Sequence, residues 1–351
     1  PSIYSIEEFV EELSQLKTTT NTELIFELYT AYKTVFKNEY DNFDTFSKWA
    51  QIILQDFNEI DRYLIDKTKI FNYLSAIQEI NSNHWSIDKN QTPLIRNYLK
   101  FWNSLEELNS VFEEQLISKS IGYQGLIYRE AYNNIENYIQ ENSDKKIVFI
   151  GFNALNKAEI GIIKELLHNG IAQMFWDIDK TFINNIYHDA GFFIRQHKEW
   201  NYYNNHSFKW LGETYTSKKN ISVIGTPKNV GQAKYIGELL HKLKANENPF
   251  DKTALVLGNE RLLFPILTSI PEEIDTANIT MGLPLKTIPL SSFFDQLINI
   301  HKESKNRYYF KDIVGLISNP VLSGLFDING VNFAQKLIDI INKNNFVYLS
   351  N

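Results

Sequence analysis

No glycine occurs before Gly122, and apolar side chains recur through that stretch at spacings of three and four. Glycine supplies the left-handed backbone of tight turns, so a long glycine-free stretch with this period reads as helix following helix. Ser5-Ile-Glu-Glu8 has the form of a capping box. The Ser5 hydroxyl can accept from the Glu8 amide while the Glu8 carboxylate accepts from the Ser5 amide. A second helix is predicted from the stripe Leu24, Ile25, Leu28, Tyr29 and Tyr32. A third runs from Asp41 to Phe57, with Phe43, Phe46, Trp49, Ile52, Ile53 and Phe57 on one face. Thr92-Pro93 supplies an N-cap and a first-turn proline for another, whose apolar side holds Ile95, Leu99, Trp102, Leu105 and Leu108.

At Lys145 the texture changes to short β-rich runs alternating with helical stretches, the pattern of parallel strands joined by crossover helices. Ile147–Ile150 is predicted as a strand, followed by a helix from about Asn156 to His168 and a second strand over Ala172–Trp176. The rhythm resumes with strands at Ile221–Ile224 and Ala254–Leu257 around a helix near Val230–Leu243, and the last ~60 residues return to helix. The predicted fold class is therefore α/β with a large helical region in front. Its expected division is 1–144, 145–215 and 216–351.

The chain has 351 residues, ample for two domains, and no cysteine, which removes disulfides, thiolate nucleophiles and sulfur-ligated metals together. A net charge of −7 argues against binding through bulk positive charge and requires a local basic groove for any nucleic acid. No apolar run approaches the ~20 residues of a membrane span and no secretory signal pattern is visible, so no membrane partner and a soluble, cytoplasmic protein are expected. The chain begins at Pro1 without an initiator Met and closes on Phe346-Val-Tyr-Leu-Ser-Asn351, which suggests a piece of something longer.

Few motifs carry chemistry. There is no P-loop; Gly225-Thr-Pro-Lys-Asn-Val-Gly231-Gln-Ala-Lys234 has the wrong glycine spacing and a late lysine, and reads as a strand-to-helix turn. His188, His197 and His206 are nine apart, a spacing that suits no metal-ligand pair, and are expected at the surface. The six Trp and many Tyr and Phe could stack bases, but most fall on helical stripes and are expected in the core. Asp177-Ile-Asp179-Lys-Thr181, at the end of a predicted strand, resembles the nucleophile motif of haloacid-dehalogenase-like phosphatases. That resemblance implies Asp177 as nucleophile and Asp179 as general acid/base of a Mg²⁺-dependent phosphatase, with Thr226 and Lys234 as later motifs. It departs from the family at Lys180, where a glycine is usual, and at Gly258-Asn259, where an acidic metal ligand is usual.

Lys145-Lys-Ile-Val-Phe-Ile-Gly-Phe-Asn-Ala-Leu-Asn-Lys-Ala-Glu159 resembles the Walker B segment of superfamily 1 helicases, in which a strand ends in Asp-Glu and runs into Phe-Gln-Asp-Thr-Asn and a helix. Here Ile150-Gly151 replaces the acidic pair, while Phe152, Asn153 and Asn156 keep the outline. Pro1–Phe9 is similar to the segment after the P-loop of these helicases. Ala254–Arg261, Leu283–Leu290 and Tyr309–Val314 resemble the second RecA-like domain of AddB-type (RexB-type) helicase-nuclease subunits. In that family an inactivated helicase body precedes a PD-(D/E)XK nuclease domain, which this chain lacks.

The resemblance implies RecA-like parallel sheets with a large helical insertion, 1–144 being the insertion, 145–215 the rest of the first RecA-like domain and 216–351 much of the second. It implies a non-catalytic scaffold in DNA repair and recombination that binds single-stranded DNA and an ATP-driven helicase-nuclease partner subunit. Trp176, Lys228 and Arg261 are the candidate DNA contacts. Without the acids that bind Mg²⁺ and orient water, no ATP hydrolysis and no cofactor are expected. The phosphatase reading on Asp177 and Asp179 and a helical adaptor without DNA stand as alternatives.

Overall fold

The computed structural model describes residues 2–37, 39–85, 99–209, 211–245, 250, 252–303, 307–328 and 330–350. The chain divides into two compact units, Pro1–Asn220 and Ile221–Asn351. The fold is mixed α/β and mostly helical, with small sheets.

The first unit opens with α1 (Ile6–Ser14), α2 (Asn21–Phe36), α3 (Phe43–Arg62), α4 (Lys67–Trp85), α5 (Leu105–Ser118), α6 (Gln124–Asn133) and α7 (Ile135–Glu141). The Ser5–Glu8 box forms, with Glu8 N donating to Ser5 Oγ at 3.1 Å and Ser5 N donating to Glu8 Oε2 at 2.8 Å. Thr20 and Glu23 repeat the device at the start of α2, and Asn42 caps α3 through Thr45 N. The N-cap expected at Thr92-Pro93 lies outside the described residues. The buried stripe of α3 is Phe46, Ala50, Leu54, Phe57 and Ile60. Ile52 is exposed, because the period of this helix places it beside the stripe and the smaller Ala50 takes the inward position.

Helix α6 is the centre of the bundle, packed on α1 and α3 and against the helix α8 (Lys157–His168). Gly125 makes the α3 contact possible. A Cβ there would stand 2.2 Å from the Asn58 carbonyl oxygen, and the Gly125 amide instead donates to Asn58 Oδ1 at 2.7 Å. A parallel bridge between β1 (Lys17–Thr18) and β2 (Ile121–Gly122) ties the start of the bundle to its end.

β3 (Ile147–Ile150), α8 and β4 (Ala172–Phe175) form a β-α-β unit with parallel strands in the register Ile147 to Ala172 and Ile150 to Phe175. Phe149, Ala172 and Met174 face inward and join the contiguous core of Phe9, Leu13, Phe57, Phe112, Tyr128, Ile162 and Leu166. Each such side chain contributes about 1.5–3 kcal/mol on burial. Val148 and Ile150 alternate to the other face and are exposed. A second parallel pair, β5 (Ile178–Asp179) with β6 (Leu211–Gly212), follows at once. Between them run the short helices α9 (Lys180–Asn184) and α10 (Phe192–Lys198). The described strands pair only two by two.

The second unit contains α11 (Lys228–Ala245), α12 (Leu263–Leu267), α13 (Pro289–Glu303), α14 (Phe310–Ile317) and α15 (Phe333–Lys343). Its strands are antiparallel pairs, β7 (Tyr308–Tyr309) with β10 (Tyr348–Leu349) and β8 (Asp327–Ile328) with β9 (Val331–Asn332). Ala233, Leu262 and Ile266 form its core cluster where α11 meets α12. The strands predicted at Ile221–Ile224 and Ala254–Leu257 are not formed. Both runs are irregular, with Val223 95% and Val256 86% exposed. An apolar β-rich run becomes a strand only when a neighbour accepts its backbone hydrogen bonds, and neither run has one among the described residues.

Candidate functional site

Parallel strands with a crossover helix leave a crevice beyond their carboxyl ends, and the first unit has a cleft there of about 480 Å³. Gly151, Phe152 and Asn153 enter it from the end of β3, Asp177, Ile178 and Asp179 from the link between β4 and β5, and Gly212, Thr214, Tyr215 and Lys219 from β6 and the loop after it. The structure thus brings the Walker B-like segment and the Asp-x-Asp motif, separate in sequence, to one place.

Each strand end is shaped by a local constraint. Gly151 N donates to the Phe175 carbonyl at 3.1 Å, and its φ of 75° turns the chain out of the sheet. That backbone suits glycine and strains any other residue. Ile150, before it, is exposed on the outer face of β3. Five residues after Gly151, Asn156 is the N-cap of α8. Its Oδ1 accepts from Glu159 N at 2.8 Å and its own amide donates to Glu159 Oε2 at 2.7 Å, both side chains being buried. Asn156 therefore starts a helix and does not face a nucleotide. Burial, and next the Glu159 carboxylate, push the Tyr128 phenol well above its ordinary range.

Trp176 is a corrected expectation. It is completely buried, its indole Nε1 donating to Tyr203 Oη at 2.8 Å, with Phe208 stacked at 5.5 Å, His197 at 5.2 Å and Trp200 set edge-on. A ring enclosed on all sides cannot stack on a base. His197, expected at the surface, belongs to the same cluster and is also buried. Its Nε2 lies 2.8 Å from the Asn153 carbonyl, which can only accept, so this nitrogen carries the proton. Burial lowers its pKa, outweighing the carbonyl that would raise it. The neutral ring thereby fixes the backbone of Asn153 at the cleft's edge.

The two acids of the Asp-x-Asp motif have different fates. Asp179 caps α9, its Oδ1 accepting from Thr181 N at 2.9 Å and its Oδ2 from Tyr215 N at 2.8 Å. The Thr181 amide first, and the Tyr215 amide next, hold its pKa at about 2. Both of its oxygens are thus engaged by backbone amides, and the carboxylate shapes the turn between β5 and the loop after β6. Asp177 is exposed at the cleft.

The cations around the cleft are turned toward the protein. Lys219 Nζ donates to the carbonyls of Thr214, Tyr215 and Ser217, Lys180 pairs with Glu213, and Arg195 gathers the carbonyls of Phe182, Asn185, Ile186 and His188. These contacts fix the cleft's walls. Tyr215, by contrast, is 50% exposed, with the Phe182 ring 4.5 Å away and Lys219 Nζ 5.2 Å from its centroid. Tyr215, Thr214 and Lys219 escape sequence reasoning because they lie in an irregular loop with no periodicity. The one signal there is Gly212 ahead of a Thr/Ser/Lys run.

Lys228 and Arg261 belong to the second unit and both are exposed. Lys228 opens α11 with a φ of 57°, and Arg261 sits in the single turn Glu260–Leu262, its amide donating to Asn259 Oδ1 at 3.1 Å. Among the described residues no three His, Asp or Glu side chains come together as a metal site, and no helix is long and apolar enough to cross a membrane. No protein-family model matches the chain, and no curated protein matches it.

Proposed function

We propose that the chain is the inactivated, helicase-like body of an AddB-type DNA repair and recombination subunit, a scaffold that holds single-stranded DNA beside an ATP-driven partner subunit. On this reading both units are RecA-like in origin and the helices of residues 1–144 are an insertion. The observation that carries the proposal is the end of β3. A parallel β-α-β unit presents Ile150 and Gly151 where a working helicase presents two acids, and Gly151 adopts a backbone that an acid could take only with strain. A metal-bound nucleotide would lack its ligands there. The charge objection softens locally, since residues 145–220 carry ten Lys and Arg against seven Asp and Glu in a chain that is acidic as a whole. Lys157, Lys198 and Lys218 are exposed within that stretch.

The test is a fluorescence anisotropy titration of labelled single-stranded DNA across a salt series, with ATP turnover assayed alongside. The expected result is saturable binding whose log affinity falls linearly with log salt, by about 0.7 per phosphate engaged, and ATP hydrolysis at background. No binding at low salt, or turnover abolished by a substitution between Gly225 and Lys234, overturns the proposal.

A further inference from the structure

The cleft in the first unit has a composition that selects its ligand. A phosphate site offers unspent cations or backbone amides. Here the Lys219 ammonium is held by three carbonyls, Arg195 by four and Lys180 by Glu213, while Asp177 adds negative charge. A phosphate would find these donors already committed to the protein. What the cleft does offer is the half-exposed ring of Tyr215, flanked by the tilted Phe182 ring at 4.5 Å and the Lys219 ammonium at 5.2 Å, a carboxylate at Asp177, and about 480 Å³, within the range of small-molecule pockets. Gly151 leaves its side open, since a Cβ there would meet nothing within 4 Å.

A flat, uncharged ring that donates hydrogen bonds satisfies these features together. An aromatic face stacks on any base, and a carboxylate accepts from an exocyclic amino group, as on cytosine N4 or adenine N6. Resting on the single-stranded DNA reading above, we propose that this cleft receives one base of the bound strand, stacked on Tyr215 and read by Asp177 through its amino group. Bases with an exocyclic amino group are accepted and thymine is disfavoured, because its edge turns carbonyl oxygens toward the carboxylate. The phosphates lie outside the cleft.

The test compares three labelled 20-mers at one low salt concentration on the full chain: oligo(dC), oligo(dT) and a strand of abasic residues with the same phosphates. Expected is oligo(dC) binding about fivefold tighter than oligo(dT), with the abasic strand weakest. Asp177→Asn should erase the difference between dC and dT while leaving the abasic strand unchanged. Tyr215→Ala should weaken both base-bearing strands by about tenfold and Tyr215→Phe should restore them. The Tyr215 amide that donates to Asp179 survives both changes, so a circular dichroism melt should match the unsubstituted chain. Abasic DNA binding as tightly as oligo(dC) overturns the base pocket and leaves the scaffold reading standing. A dC-to-dT ratio untouched by Asp177→Asn overturns the carboxylate's role, and failure of every strand to bind overturns both proposals.

Discussion

At the scale of single residues, the most demanding group in the chain is Asp61, wholly buried at the end of α3. It accepts from Arg129 Nε and Tyr123 Oη, each at 2.5 Å, and pairs with Lys67 Nζ at 2.9 Å. Arg129 uses its second nitrogen on the carbonyls of Ile60 and Ile65, so the same side chain also closes the C-terminal turn of α3. Lys67 reaches Glu113 as well, and Tyr123 lies 2.9 Å from it. The two carboxylates are not equivalent. Burial first, then repulsion from Asp61, push the Glu113 carboxyl above its ordinary range despite Lys67. Removing the Asp61 charge takes away the carboxylate that Arg129 binds and leaves Lys67 to Glu113 alone, and Asp61→Asn should cost about 3–5 kcal/mol in urea unfolding. Glu113→Gln should cost much less, because the fold already resists its charge. Equal losses for the two variants would show that the network does not distinguish them.

At the scale of elements, close approach decides what sequence periodicity leaves open. α6 can lie against α3 only because Gly125 has no side chain, and a methyl there meets backbone, not a movable side chain. Gly125→Ala should therefore destabilise the first unit by about 1–3 kcal/mol in a thermal or urea melt, although alanine is the better helix former. An unchanged or raised midpoint would mean that the helices can part without loss. The same division between local and distant causes separates the elements legible in the sequence from those that are not. Capping at Ser5 and the β3-α8-β4 alternation are legible because their determinants lie within a few residues of each other, whereas the cap at Asn156 is hidden behind its likeness to a nucleotide-binding segment. The exposure of Ile52, the burial of Trp176 and His197, and the unpaired runs at Ile221 and Ala254 are not legible, since each depends on what a distant segment places beside it. The candidate site was half legible in the same way. Its strand ends announce themselves as Gly151 and Asp177-x-Asp179, whereas Tyr215 enters through a loop held by backbone amides and a lysine's carbonyl contacts.

At the scale of the whole molecule, the apolar core is unevenly shared between the units. The first unit's buried residues form one contiguous cluster from Phe9 to Trp200, and the ion network of Asp61 lies within it. The second unit clusters Ala233, Leu262 and Ile266, and exposes Ile221, Val223, Val256, Leu325 and Ile340. Stability follows apolar area removed from water, so the two units should not unfold together. Urea titration of the full chain should give two transitions, the lower belonging to the second unit. Limited proteolysis below the first midpoint should leave a resistant product ending near Asn220, identified by mass. Tryptophan fluorescence separates the events. Among the described residues every tryptophan lies in the first unit, with Trp176 and Trp200 in its core, so fluorescence should report the upper transition while far-ultraviolet circular dichroism reports both. Coincident curves from the two probes would mean that the units unfold as one cooperative body. Single-stranded DNA held in the first unit's cleft should raise the upper transition alone, by RT ln(1 + c/Kd) in free energy at a free DNA concentration c.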